Sequence, residues 1–285
     1  MPIRTDLTTI RDSCQRLLEA LDQLKRERKL RPLVLTLEKE LAAAFREQGR
    51  LFIKGLDSIA HTYPQMEAET PGQFSEWWWE YIEWWIYLQR AMVETLRVFV
   101  NPVDAAVIQA YLVGGHTMLA EVGMPMSFTL ANPRAVAYLE NYGADLITKI
   151  NGTTREYIKN ILVKGGREGW GYNKVANAIT ERYAEFAVGR PQQHIQSRAH
   201  LIAVTESGNA YEAGNFEAAM QLQERGMAME KHWVNVGDDK VSDGCLENSA
   251  VGWIPLEQAF PSGHLHPLRF PGCRCHAQYR RMKAG

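Results

Sequence analysis

Apolar residues recur at Leu7, Ile10, Cys14, Leu17, Leu21 and Leu24, in steps of three and four that draw one stripe along a helix. The spacing is heptad-like over too few heptads for a coiled coil, so it predicts an ordinary helix packed on a neighbour. The basic run Lys25 to Arg31 suits a helix carboxyl end, where cations oppose the macrodipole, or a solvated face. Pro32 is expected to start a second helix, in which Leu37, Leu41, Ala44 or Phe45, Gln48, Phe52 and Ile59 keep the period until Tyr63-Pro64 stops it. Two Asn-Pro pairs, Asn101-Pro102 and Asn132-Pro133, place a capping side chain before a proline at the first helical position. Gly114-Gly115 and Gly143 stand where those runs are expected to end, and Thr153 with Glu156 has capping-box spacing for another start, ended by Gly165-Gly166.

Between these segments lies an aromatic cluster, Trp77, Trp78, Trp79, Trp84 and Trp85, with Tyr81 and Tyr87 among them. At helical spacing Trp77, Tyr81, Trp84 and Leu88 form one face and Trp78, Ile82 and Trp85 the next, while Glu76, Glu80 and Glu83 gather opposite. A partner contact through Trp77, Trp78, Tyr81, Trp84 and Trp85 is one reading, since aromatic anchors dominate interfaces; an aromatic core seam is the other. A nucleotide-stacking platform would need interleaved basic residues, which are missing. Charges at Glu80, Glu83, Arg90, Glu94 and Arg97 interrupt the apolar stretch Trp77 to Val100, so no membrane span is predicted there.

Past Ile150 a long helix containing Arg198, Thr205, Glu206 and Gly214 is expected, then a change of pattern. Lys231, Trp233, Val234 and Val236 form a β-prone run, Gly237-Asp238-Asp239 signals a turn, and Trp253-Ile254-Pro255-Leu256 reads as a partner strand whose proline confines it to an edge. The fold class expected is mainly α: a helical amino-terminal region, 1–149, then a helical segment leading into a small α+β module with a short antiparallel sheet, 150–285.

With 285 residues and 46% hydrophobic content the chain can build a sizeable core, which excludes disorder. Its 32 basic and 33 acidic residues exclude a global field toward nucleic acid or an anionic membrane. The charge is uneven, however: from Arg269 onward Arg274, Arg280, Arg281 and Lys283 accumulate without an acidic residue, a local candidate for sequence-independent DNA contact or a solvated, frayed terminus. Met1 to Asp12 has no apolar targeting core, so synthesis in the cytoplasm is expected.

Cysteine position tells more than number. Four cysteines are too few for a disulfide scaffold, and Cys245, Cys273 and Cys275 fall in the last 41 residues together with His264, His266 and His276. A loop-rich module with little core benefits from a staple, and three thiolates with one imidazole would suit structural Zn²⁺. Buried unligated thiols and, less in keeping with a reducing compartment, a disulfide are the alternatives. For catalysis there is no His-Glu-x-x-His pair and no phosphate-binding glycine loop, and no catalytic residue is assigned. Thr205 beside Glu206 invites an acid-base reading, but a helix-borne Glu paired across the fold and a Thr bonded to backbone fit a locking role better.

The succession of Arg198-Ala199, Ile202-Ala203, Thr205-Glu206, Gly214, Lys231, Trp233, Asp239, Val241, Cys245, Gly252 and Pro271-Gly272-Cys273-Arg274-Cys275 resembles the phage Mu F-like minor head protein family, also called the phage head morphogenesis domain. The resemblance covers about residues 150–285. It implies structural roles for Arg198, Thr205, Glu206, Lys231, Trp233 and Asp239, and a non-enzymatic minor head protein of a tailed phage. Such a protein works inside the capsid near the portal, assists head assembly and DNA packaging or ejection, and has the portal and other head proteins as partners; a metal-dependent hydrolase and a DNA-binding head protein are the alternatives. Two positions depart from the family pattern: Ser242 stands where a first cysteine is usual, and Phe270 where a histidine is expected.

Overall fold

The computed structural model describes residues 2–62, 97–124, 126–128, 130, 132–168, 172–188 and 198–282. Helices α1 (Pro2–Thr62), α2 (Arg97–Glu121), α3 (Pro133–Glu168), α4 (Tyr172–Val188) and α5 (Arg198–Glu224) precede β1 (Met229–Val234), α6 (Asp243–Ala250), β2 (Ile254–Pro255) and β3 (His276–Arg281). The architecture is therefore mainly helical with a small antiparallel sheet at the carboxyl end, the class expected. The chain forms two compact units that alternate along the sequence: Met1–Thr36, Ala106–Ala137 and Ile202–Gly285 make the first, Leu37–Ala105 and Tyr138–Leu201 the second. Each unit thus draws residues from both sides of position 150.

Local signals are overridden where burial is large. Pro32 does not begin a helix, because α1 runs through it. An interior proline removes a hydrogen bond at a cost of about 3 kcal/mol. Burial of the flanking Leu30 and Leu37 offsets this, each contributing roughly 1.5–3 kcal/mol. Pro102 likewise lies inside α2, which starts earlier, at Arg97, with Phe99 and Val103 fully buried. Gly143, Thr153 and Gly165-Gly166 are all interior to α3, whose buried Thr154 and Ile158 keep the helix going through the expected stops. Asn132-Pro133 behaves as expected: Asn132 Oδ1 accepts the Arg134 amide at 2.9 Å and α3 starts at Pro133.

The later part of the stripe on α1 is left open among the described residues. Leu17, Leu21 and Leu24 are each more than half exposed. The basic run beyond it is neither a helix end nor wholly solvated, since Arg26 is buried.

In the first unit α5 is central. Its small residues Ala203, Ala210, Ala213, Ala218 and Ala219 are buried, and it crosses α2 at glycines. A methyl on Gly114 would lie 2.0 Å from the Tyr211 carbonyl oxygen, and one on Gly214 2.0 Å from that of Tyr111. Gly114-Gly115 is therefore a packing site rather than a helix end; α2 ends at Glu121, followed by Gly123 at φ +70. Helix Val98–Glu121 is long and apolar enough to cross a membrane by composition, but Val107, Ala110, Tyr111, Met118 and Leu119 are buried inside this unit. The second unit buries Leu41, Phe45 and Phe52 of α1 with Phe99 of α2, Ile158 of α3 and Tyr183 of α4; Phe45 and Phe99 meet edge to face at 5.0 Å.

The sheet has β1 between β2 and β3, both antiparallel to it. Lys231 pairs with Ile254 and Tyr279, and Trp233 with Ala277. Pro255 lies on the edge strand, as its missing amide requires.

Candidate functional site

Three elements bring the sulfurs together. Cys245 sits in α6, Cys273 follows the Pro271-Gly272 turn, and Cys275 leads into β3. Gly272 takes φ +80, a left-handed conformation suited to glycine, and the Cys273 amide closes the turn onto the Phe270 carbonyl at 3.0 Å. The three Sγ atoms lie within 4.8 Å of one another and are buried, Cys245 and Cys273 being 3.9 Å apart. They share a core with Trp233, Ile254, Phe260 and Leu268. Hydrogen bonding from Cys275 holds the Cys273 thiol below its ordinary range against its burial. Cys275 is pushed up, first by its bond to Cys273 and then by burial, while the Trp233 indole pulls it down.

The two histidines expected beside these thiols are not among them. His264 Nδ1 bonds Ser262, and His266 Nδ1 bonds the Pro267 carbonyl, its ring lying 5.7 Å from that of Phe216. Among the described residues the only group of three ligating side chains close enough to share an ion is the cysteine trio.

The residues singled out in the long helix and first strand make the following contacts. Thr205 Oγ1 accepts the Gly272 amide at 3.0 Å, so α5 holds the turn that presents Cys273. Lys231 is fully buried; its Nζ donates to the Leu265 carbonyl at 2.7 Å between the rings of Phe216 and Phe260, at 5.0 and 5.1 Å. Burial lowers this ammonium to about 8. Trp233 packs edge to face on Phe260 at 5.1 Å. In the second unit Arg198 donates to Thr154 Oγ1 at 3.1 Å and lies over the Phe45 ring, and burial lowers it to about 10. Glu206 is buried. The turn after β1 is organised by Asp238, which accepts the Lys240 amide and pairs with Arg274; Asp239 is exposed.

A further buried lock was not singled out from sequence. Glu212, fully buried in α5, takes Arg26 Nε of α1 at 2.9 Å on one oxygen and the Ala277 amide of β3 at 3.0 Å on the other. Burial pushes this carboxyl up to about 7 although Arg26 and the amide pull it back. A charge amid Ala210-Tyr211-Glu212-Ala213-Gly214, apolar or small on all sides, is the signal that points to it. Arg134 similarly grips Glu217 at 3.0 Å and also pairs with Glu224.

The basic tail is ordered rather than frayed up to Met282. Arg280 pairs with Glu230 at 2.6 Å and stacks 3.9 Å over Trp253, and Arg274 pairs with Asp238 at 2.6 Å. Two of the four candidate DNA contacts thus have local counter-charges; Arg281 pairs across the sheet with Met229, and Lys283 lies outside the described residues. Trp77, Trp78, Tyr81, Trp84 and Trp85 also lie outside them. A groove of about 500 Å³ in the second unit is lined by Arg46, Arg50, Lys54 and Tyr183 among others, with no carboxylate, histidine or cysteine among the described residues of its wall.

Comparison with known proteins agrees with this arrangement of motifs. Residues 156–278 match the family described as Phage Mu protein F like protein. No curated protein and no solved structure matched the chain. The match embraces Arg198, Thr205, Lys231, Trp233 and all three clustered cysteines, so residues 156–278 are similar to the Phage Mu F-like family.

Proposed function

We propose that this protein is a minor head component that binds at or near the portal of a tailed phage, inside the capsid, and assists head assembly and DNA packaging or ejection through protein contacts rather than catalysis. The observation that carries the reading is the family match over 156–278, whose motif residues here make hydrogen bonds, ion pairs and packing contacts. A scaffold of this kind needs a docking surface. The exposed Leu17, Leu21 and Leu24 on α1 supply apolar area suited to a partner helix or groove, and the aromatic segment Trp77 to Trp85 adds residue types enriched in binding hot spots.

The test is co-purification with the portal protein of the same phage. Wild-type protein is expected to be retained. Leu17→Glu with Leu21→Glu, or Trp78→Ala with Trp85→Ala, should reduce retention at unchanged helical content. Absence of wild-type association under assembly conditions contradicts the portal assignment.

A further inference from the structure

We propose that Cys245, Cys273 and Cys275 form a three-thiolate site for one Zn²⁺ ion, whose fourth ligand is a water or other small molecule. The geometry is that of a ligand set. Zinc–thiolate bonds of about 2.3 Å in a tetrahedral shell place sulfurs about 3.8 Å apart. Cys245 and Cys273 stand at 3.9 Å, and all three sulfurs lie within 4.8 Å of one another. A disulfide requires about 2.05 Å and would leave the third thiol unused.

The surroundings are those of a thiolate site. The Trp233 indole is fully buried in the same core, its Nε1 without a nitrogen or oxygen acceptor among the described residues. Outer donors of this kind orient ligands and hold negative charge on sulfur. Binding releases the remaining thiol protons to solvent, leaving three thiolates and one dication with a net charge of −1. Arg269, whose guanidinium lies against Gly244 and donates to Ser242 at 3.1 Å, brings a cation beside Cys245 in the chain.

Such an ion would join α6, the Pro271-Gly272 turn and β3 at the centre of the small carboxyl-terminal core. The site is independent of the portal assignment and stands or falls separately. Reduced wild-type protein, stripped with chelator and titrated with Co²⁺, should develop thiolate-to-cobalt charge-transfer bands saturating at one ion per chain, and Zn²⁺ should displace it. Zn²⁺ should also slow alkylation of Cys245, Cys273 and Cys275, read by peptide mass spectrometry on the same wild-type protein. Cys273→Ser should weaken Co²⁺ binding at least 100-fold. The proposal is overturned if reduced wild-type protein gives no thiolate–cobalt band. It is equally overturned if the three thiols alkylate at the same rate with and without zinc, or if two of them are found as a disulfide in freshly prepared protein.

Discussion

Among the described glycines, Gly114 and Gly214 allow the closest backbone approach, each lacking the one carbon that would strike a carbonyl of the opposing helix. Backbone cannot move aside as a flexible side chain can. Gly214→Ala should therefore lower stability by about 1–3 kcal/mol or more through overpacking, even though alanine favours helix; urea denaturation measures it. Arg26 and Glu212 give a second expectation. Removing one partner of a buried pair leaves an uncompensated charge, so Arg26→Met should cost about 3–5 kcal/mol above pH 7. Glu212 titrates higher in the fold than a solvated glutamate, so its proton stabilises the fold below about pH 4.5, and that contribution is lost as pH rises through about 7. Without Arg26 the carboxyl rises further. The deficit of the variant should accordingly be smaller at pH 5 than at pH 8, and a pH-independent deficit would contradict this account. Arg50→Ala, by contrast, removes an exposed pair with Glu47 and should leave stability unchanged.

At the level of elements, α5 is the organiser: Thr205 holds the cysteine turn, Glu212 holds α1 and β3, and Gly214 admits α2. Thr205→Val should disturb the Gly272 turn and with it the thiol cluster, visible as faster alkylation of Cys273, whereas Thr205→Ser should preserve both. How far the sequence reveals such elements depends on the range of the interaction. The β1 run, the Gly237-Asp238 turn and the Pro255 edge strand were legible because residue type and neighbour decide them locally. So was Asn132, which caps the segment it precedes. Pro32, Pro102 and Gly143 carry the same local signals yet lie inside helices, since tertiary burial of residues on the same helices, such as Leu30, Leu37, Phe99, Val103 and Ile158, determines continuity. A glycine that ends a helix and one that admits a neighbour look alike in one sequence. Of the site, the cysteines and Lys231 were legible by type and place; the exclusion of His264 and His266 was not, because their partners are loop carbonyl and hydroxyl oxygens.

For the molecule as a whole, the near-neutral charge and the ion pairs of Arg274 with Asp238 and of Arg280 with Glu230 leave no strong global field toward a polyanion. Its exposed leucines on α1 are what a monomer would cover if nothing else did. The most direct test of the head-protein account is to quantify this chain in procapsids assembled with and without the portal protein. The account predicts a few copies per head, far fewer than the major capsid protein, and their loss when the portal is omitted. Absence from purified heads, or an unchanged amount without the portal, would contradict it.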